Sequence, residues 1–279
     1  GRVCDVASDL QTTSAVCRQV GWGEAAPALS SAYLGTGAGP SWLDSVGCSG
    51  RVQCLLQDKL EISTVRVQVL CWPKDCSEIP TGSSSGIYII QPAGFHQLVV
   101  YCEMNVTDGG WTVIQRNWHD TEITWAESWS TYKYGFGNVQ SDFWLGTEYI
   151  YQIAKQKVYQ VKFVIQDATG STKFADYNLF SLEDESHGYR LRLGSYTGTA
   201  GDAMTSDNPK NVHNSMKFSA KDRDQDTYRG NCAYSYEGGW WYSACYSVRL
   251  NFKGGLTWGS LCNGNCKSSL ILIRPAPYH

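Results

Sequence analysis

The chain has 279 residues, with 23 Lys and Arg against 26 Asp and Glu and a net charge of −3. At about 150 residues per domain, this length predicts two domains. The balanced charge argues against a nucleic-acid partner, and no apolar run approaches the roughly 18 residues that span a membrane. The eleven cysteines predict a secreted, extracellular, disulfide-bonded protein in which at least one cysteine lacks a partner in the same molecule.

A domain boundary is predicted where the strand-like alternation of residues 65–70 stops at Pro73 and the charged pair beside it. We therefore expect a first domain at residues 1–72 and a second at residues 76–279. The first contains five cysteines and loops of small residues, whereas the second contains six cysteines and most of the tryptophans and tyrosines. No signal-peptide pattern opens the sequence, as expected of a mature or trimmed protein.

Short strands dominate the predicted second domain. In sequence order, alternation and turn residues predict strands at Gly86–Ile90, 98–102, 111–116, 158–165 and 189–194, and a short helix at 142–152. Residues 195–266 are rich in turns, where binding sites are often located. Asn105 begins the one glycosylation sequon, Asn-Val-Thr.

No enzyme is predicted. Gly82–Gly86 fits the Gly-x-Ser-x-Gly pattern, but it leads into a strand instead of the helix that a nucleophile elbow needs, so a flexible turn is favoured. The five histidines are scattered without the spacing of a metal site. A hydrolase is the least favoured alternative.

Two aspartates suggest a calcium site. Asp224 and Asp226 lie two residues apart in the turn-rich segment, so both carboxylates can converge on one hard cation. An EF-hand is excluded, because counting from Asp222 places Thr227 at its glycine and Ala233 at its glutamate. The alternative is a solvated acidic turn without metal, because Asp favours turns.

Six aromatic residues follow within thirteen positions, namely Tyr234, Tyr236, Trp240, Trp241, Tyr242 and Tyr246. Aromatic walls with hydroxyl groups suit acetyl groups and sugar faces. The alternative is that Trp240 and Trp241 belong mainly to the core, which we favour for at least one of them.

The second domain resembles a fibrinogen-related C-terminal domain across nearly all of residues 76–279. The resemblance rests on GGWTVIQR at 109–116, YGFGN at 134–138, FWLG at 143–146, KDRDQD at 221–226, GWWY at 239–242 and IRP at 273–275. It implies an α+β fold that is β-rich, irregular and stabilised by disulfides.

The resemblance also implies a ligand set for the cation. Asp224 and Asp226 would supply side chains to calcium, and Tyr228 and Gly230 would supply backbone oxygens, while Asp222 would support the loop.

In ficolins and tachylectin-like lectins of this family, the corresponding segment lines a pocket for N-acetyl groups. Tyr236 matches a pocket tyrosine, and Tyr246 stands where those lectins commonly have histidine. The family's cis peptide would here join Ala244 to Cys245 and turn backbone N–H groups toward the ligand. Trp241 is included as a pocket residue.

The first domain resembles an incomplete scavenger receptor cysteine-rich domain. GRVCD at 1–5, AVCRQVG at 15–21 and GPSWLD at 39–44 carry this resemblance.

The two resemblances imply disulfide pairings. They pair Cys17 with Cys71, Cys48 with Cys54, Cys76 with Cys102, and Cys232 with Cys245. Cys262 and Cys266 depart from the family pattern and are interpreted as a small extra bridge, which leaves Cys4 as the odd cysteine. Cys4 is a candidate interchain bridge, and a free thiol is the alternative.

We therefore expect a secreted, calcium-supported lectin that recognises acetylated or sialylated glycans, in the manner of innate pattern recognition. A single acetyl-binding site reaches only about millimolar affinity, so useful binding requires several copies. The alternative is a protein-binding module of the fibrinogen or angiopoietin type.

Overall fold

The computed structural model describes residues 71–206 and 208–277 together with the backbone of residues 24–25. Two compact units divide the protein: Gly1–Lys74 with Ile89–Leu98, and Asp75–Tyr88 with Val99–His279. The domain division at residues 72–76 stays a prediction.

The predictions for the first domain's cysteines lie outside the described residues. These are the bridges of Cys17 with Cys71 and of Cys48 with Cys54, and the role of Cys4. Only the backbone of Cys71 is described.

Short antiparallel strands form most of the regular structure in the described residues. They are β1 (Glu24–Ala25), β2 (Cys71–Trp72), β3 (Gly86–Ile90), β4 (Leu98–Glu103), β5 (Trp111–Trp118), β6 (Phe136–Gly137), β7 (Phe143–Trp144), β8 (Tyr159–Gln166), β9 (Thr172–Leu182), β10 (Leu191–Leu193), β11 (Tyr196–Gly198), β12 (Val248–Arg249), β13 (Leu256–Trp258), β14 (Cys262–Cys266) and β15 (Ser268–Pro275).

Helices are few and short in the same residues. They are α1 (Trp129–Tyr134), α2 (Thr147–Ala154) and α3 (Cys232–Ser235), with single 3-10 turns at Cys76–Glu78 and Glu185–His187. The helix predicted at 142–152 is wrong in its first residues, because β7 pairs there with β5 and Gly146 adopts a φ of 118° before α2 begins. The β-rich α+β class is confirmed.

The main sheet has ten strands in the order β10-β9-β8-β15-β5-β4-β3, with β11 on β9, β7 on β5 and β6 on β7. The longest strand, β9, escaped prediction because the buried positions along it do not alternate regularly. Its neighbour β8 alternates more clearly and was predicted to within one residue.

A second sheet carries part of the candidate site. It has three antiparallel strands in the order β12-β13-β14. In β12, Val248 is fully buried and Arg249 is half-buried.

Three disulfides lie in the described residues and join Cys76 to Cys102, Cys232 to Cys245, and Cys262 to Cys266. These are the pairs that sequence reasoning gave for the second domain. In the described residues, no helix is long and apolar enough to cross a membrane.

The core is strongly aromatic. Trp144 stacks on Phe218 with ring centroids 5.8 Å apart, and Trp241 meets Phe218 edge-on at 5.2 Å. Such pairs contribute about 0.5–1.5 kcal/mol each beyond the area that they bury. This layer supports the segment that follows Trp241 in the sequence.

Candidate functional site

The acidic loop is organised around Asp226. One oxygen of its carboxylate accepts from the N–H of Tyr228 at 2.8 Å, and the other accepts from the N–H of Cys232 at 2.8 Å. The N–H of Asp226 donates to Asp224 Oδ1 at 3.2 Å. Because Cys232 is disulfide-bonded to Cys245, one carboxylate joins the loop to the next segment.

The two carboxylates affect each other electrostatically. Partial burial raises the pKa of Asp226, and a hydrogen bond with Asp224 and the charge of that residue raise it further, against the two backbone N–H donors. A cation between like charges removes this repulsion.

Backbone oxygens are available beside this pair. The carbonyls of Tyr228 and Gly230 accept no hydrogen bond from any residue that the structure describes. No three His, Cys, Asp or Glu side chains cluster in residues 71–206 and 208–277, so a metal here would need further oxygen ligands of the kind that those carbonyls offer. Carboxylate and carbonyl oxygens are the donors that calcium prefers, and the residues present fit that ion.

Asp222 contributes to the support of the loop. Its Oδ1 accepts from the N–H of Trp129 at 2.7 Å, at the start of α1. The next residue, Arg223, lies over the Trp129 ring at 4.0 Å and 3.5 Å from a carboxylate oxygen of Glu185. These contacts anchor the beginning of the acidic loop to α1.

The Ala244–Cys245 peptide bond is cis. The N–H of Ala244 donates to the carbonyl of Lys210 at 3.0 Å, so it is occupied within the protein instead of facing a ligand. The N–H groups of Cys245 and Tyr246 donate to no acceptor among the residues that the structure describes. Two of the three donors of this segment thus remain for a ligand.

Tyr236 and Tyr246 lie together beside this segment. Their ring centroids are 4.9 Å apart at 81°, and Tyr236 remains 36% exposed. Tyr242 is buried behind them, 6.3 Å from the Tyr246 ring, and its hydroxyl donates to the Gly238 carbonyl at 2.9 Å. The two outer tyrosines form a small aromatic wall with one accessible ring.

Trp241 does not belong to this wall, which corrects the prediction that included it. It is 1% exposed, and its indole N–H donates to the carbonyl of Tyr189 at 2.9 Å. Its ring also packs on Trp144 and Phe218. A ligand cannot reach a side chain enclosed in this way.

Arg249 was missed by sequence reasoning. Its guanidinium carbon lies 3.7 Å from the ring centroid of Phe252, 5.2 Å from that of Tyr246 and 5.9 Å from that of Tyr236. Its Nε is buried without a hydrogen-bond partner. The only signal in the sequence that could have identified it was its position, as a cationic residue three positions after Tyr246, the last residue of the aromatic run.

His213 was also missed, because a single histidine far from the aromatic run carries no pattern. Its Nδ1 donates to the Trp241 carbonyl at 2.8 Å, and its Nε2 accepts from the N–H groups of Ser247 at 3.1 Å and Val248 at 3.0 Å. Burial lowers its pKa to about 4, against the opposing hydrogen bond to Trp241. A neutral imidazole thus fixes the backbone just after Tyr246.

The predicted glycosylation site is accessible. Asn105 is exposed, and its amide nitrogen donates to Ser85 Oγ at 3.1 Å. Its modification stays a prediction.

Comparison with protein families gives two matches. The C-terminal globular domain of fibrinogen β and γ chains matches residues 72–265, and the scavenger receptor cysteine-rich domain matches residues 1–72.

Relatives of several kinds share the second part of the sequence. A fibrinogen-like protein 1-like protein of Gallus gallus is 50% identical over 192 residues, or 68% of each protein. Angiopoietin-related protein 2 of Mus musculus is 40% identical over 210 residues, which cover 70% of this protein and 41% of that one. Techylectin-5A of Tachypleus tridentatus is 37% identical over 217 residues, which cover 75% of this protein and 72% of that one.

Solved structures show the same fold. The fibrinogen-like globe domain of human ANGPTL2 has a TM-score of 0.68 and 37% identity, covering 74% of this protein and 100% of that domain. Lamprey fibrin D-dimer, complexed with the peptide ligand Gly-His-Arg-Pro-amide, has a TM-score of 0.67 and 30% identity and covers 74% of each of the two sequences.

Proposed function

This protein belongs to the family of the C-terminal globular domain of fibrinogen β and γ chains, and we propose that it is a secreted lectin that binds acetylated or sialylated glycans with support from calcium. Fibrinogen-like domains are binding modules and not enzymes, so no catalytic residue is assigned. The similarity to Techylectin-5A supports a glycan ligand. The three disulfides support an oxidising, extracellular location.

One observation carries the proposal. The accessible Tyr236–Tyr246 wall adjoins a segment in which the N–H groups of Cys245 and Tyr246 have no acceptor in the described residues. An acetamido group matches this arrangement, because its methyl packs on an aromatic face while its carbonyl accepts from N–H donors. The methyl contributes only on the order of 1 kcal/mol, so avidity must supply the rest.

Calcium would be held by the carboxylates of Asp224 and Asp226 and the carbonyls of Tyr228 and Gly230. When bound, the ion supplies positive charge that neutralises the carboxylate pair. Two hydrogen bonds connect the calcium loop to the segment that carries the aromatic wall. The carboxylate of Asp226 accepts from the N–H of Cys232, and the N–H of Thr227 donates to the Ser243 carbonyl at 3.1 Å. Both bonds reach backbone next to the aromatic run.

A glycan array tests the proposal, with the whole protein applied at high density with calcium and with EDTA. We expect signals on N-acetylated or sialylated glycans that fall with EDTA, with free N-acetylated sugar and with Tyr236→Ala. Tyr234→Ala is the matched control, because Tyr234 lies two residues away and is 72% exposed. No signal at high density would refute the lectin proposal.

The alternative function is a protein-binding module. It is supported by the similarity to an angiopoietin-related protein over 70% of this sequence and to a fibrin that was solved with a peptide ligand. An array without glycan signals, followed by specific capture of an extracellular protein by the same whole protein, would favour this function.

A further inference from the structure

Arg249 differs from the other half-buried arginines of the described residues. Four of the five bind acceptors: Arg116 and Arg274 donate to carbonyls, and Arg190 and Arg223 reach glutamates. The Arg249 side chain has neither a hydrogen bond nor an ion pair with any described residue, and its guanidinium carbon instead lies 3.7 Å from the centroid of the Phe252 ring.

The enclosure of Arg249 stops at Nε. Nε is buried and has no hydrogen-bond partner. The two terminal nitrogens also have no partner in the described residues, but they are not buried. A planar guanidinium presents two parallel N–H donors at this end, which match the two oxygens of a carboxylate. The two terminal nitrogens of Arg249 form a fork of N–H donors. Phe252 and Tyr246 restrict the plane of this fork, so the side chain loses less conformational freedom when a ligand binds.

The fork belongs to the same site as the aromatic wall. Tyr236 and Tyr246 both lie within 6 Å of the guanidinium carbon, at 5.9 and 5.2 Å, and the N–H groups of Cys245 and Tyr246 add unpaired donors. No carboxylate of a described residue forms an ion pair with Arg249, so its charge is available to a ligand. The site therefore favours an anionic ligand group and disfavours a cationic one.

We propose that Arg249 makes this site selective for acetylated ligands that also carry a carboxylate, so that sialylated glycans are preferred to neutral N-acetylated sugars. This inference rests on the proposed lectin function. The acetamido group would contact Tyr236 and the N–H donors, and the carboxylate would pair with the terminal nitrogens of Arg249. A cationic peptide such as Gly-His-Arg-Pro-amide would be repelled by the same charge.

The test compares three ligands on the whole protein at constant calcium: N-acetylneuraminic acid, its methyl ester and N-acetylglucosamine. Each dissociation constant is measured by titration, with binding monitored through the NMR signals of the ligand. Because one charge-assisted pair changes affinity by about tenfold or more, the acid should bind about tenfold more tightly than the ester. The difference should shrink as salt is raised.

Variants assign the difference to one residue. Arg249→Gln should bring acid and ester to equal affinity, Arg249→Lys should keep part of the preference, and Tyr236→Ala should weaken both ligands. Arg192→Gln is the control, because it removes an exposed guanidinium that pairs with Glu183 and lies outside both the calcium loop and the aromatic segment. Melting curves establish that each variant is folded.

The outcomes separate the two proposals. Equal binding of acid and ester by the unmodified protein would overturn the role of Arg249 while leaving the lectin function in place, and this comparison needs no variant. Binding of none of the three ligands would overturn both. An acid preference that persists in folded Arg249→Gln would place the carboxylate elsewhere and overturn the role of Arg249.

Discussion

Acidification should destabilise the protein through His213. The ring is enclosed in its neutral form, with Nδ1 donating to Trp241 and Nε2 accepting from Ser247 and Val248. Protonation would place a donor at Nε2 opposite two N–H donors, which the fold cannot accommodate. Burial accordingly lowers the pKa of His213 from 6.5 to about 4 in the folded protein.

The size of the effect follows from the two pKa values. Between pH 6.5 and pH 4 the unfolded protein binds a proton that the folded protein does not, so stability falls as pH falls. The loss is about 2 kcal/mol at pH 5 and approaches about 3 kcal/mol near pH 4. Above about pH 7.5 the histidine is neutral in both states, and it contributes no pH dependence.

Urea unfolding of the whole protein at pH 7, 6 and 5, followed by tryptophan fluorescence, measures this loss. We expect His213→Gln to be less stable at pH 7 by about 1–3 kcal/mol because its hydrogen bonds are replaced imperfectly. The variant should lose the additional decline between pH 6.5 and 5. His119→Gln is the control, because it removes an exposed histidine. A His213→Gln variant that keeps the full decline would refute the reasoning.

Three further predictions concern other parts of the molecule. Removal of millimolar calcium by EDTA should lower stability by only about 0.4–1.4 kcal/mol, and Asp226→Asn should abolish this difference in melting curves; an unchanged melting temperature and unchanged glycan binding after EDTA would argue against the site. Tyr159→Phe should destabilise the protein by about 1–3 kcal/mol, because the buried carboxylate of Asp75 loses the hydroxyl that donates to it; urea unfolding with the exposed Tyr134→Phe as control measures the loss, and equal stability of the two variants would contradict it. Cys4→Ser should remove any disulfide-linked oligomer from non-reducing electrophoresis, and an oligomer band that persists in the variant would place the bridge elsewhere.

Motifs of the second domain predicted its fold more reliably than periodicity did. The pairing of Cys232 with Cys245 is implied by the resemblance, and the strand at Trp111, which turn residues also indicate, lies within the GGWTVIQR motif of that resemblance. Periodicity located β8, but it missed β9 because that strand carries polar residues such as Asp176 on positions that cross-strand partners cover. Apolar and polar residues alternate along a strand only when one of its faces is buried and the other is exposed, so only such strands are detected by this pattern.

The candidate site was predictable only in part. Sequence spacing brought Asp224 and Asp226 together, and the aromatic run contained Tyr236 and Tyr246. The aromatic run alone does not show which of its residues lie in the wall and which lie in the core. Burial depends on partners that are distant in sequence, such as Tyr189 for Trp241, and Trp241 was therefore misassigned. The roles of Arg249 and His213 depend on long-range contacts that no local pattern encodes.

The position of β15 governs the order in which the protein can be assembled. This strand is the last that the structure describes, yet it lies in the middle of the main sheet, paired with β5 on one side and β8 on the other. A ribosome that stops before residue 268 therefore releases a polypeptide whose sheet has two open edges, each able to pair with another molecule. Until translation reaches this strand, both edges of the nascent polypeptide must be kept from pairing with other molecules. Premature termination before β15 should therefore yield aggregates instead of a smaller folded protein.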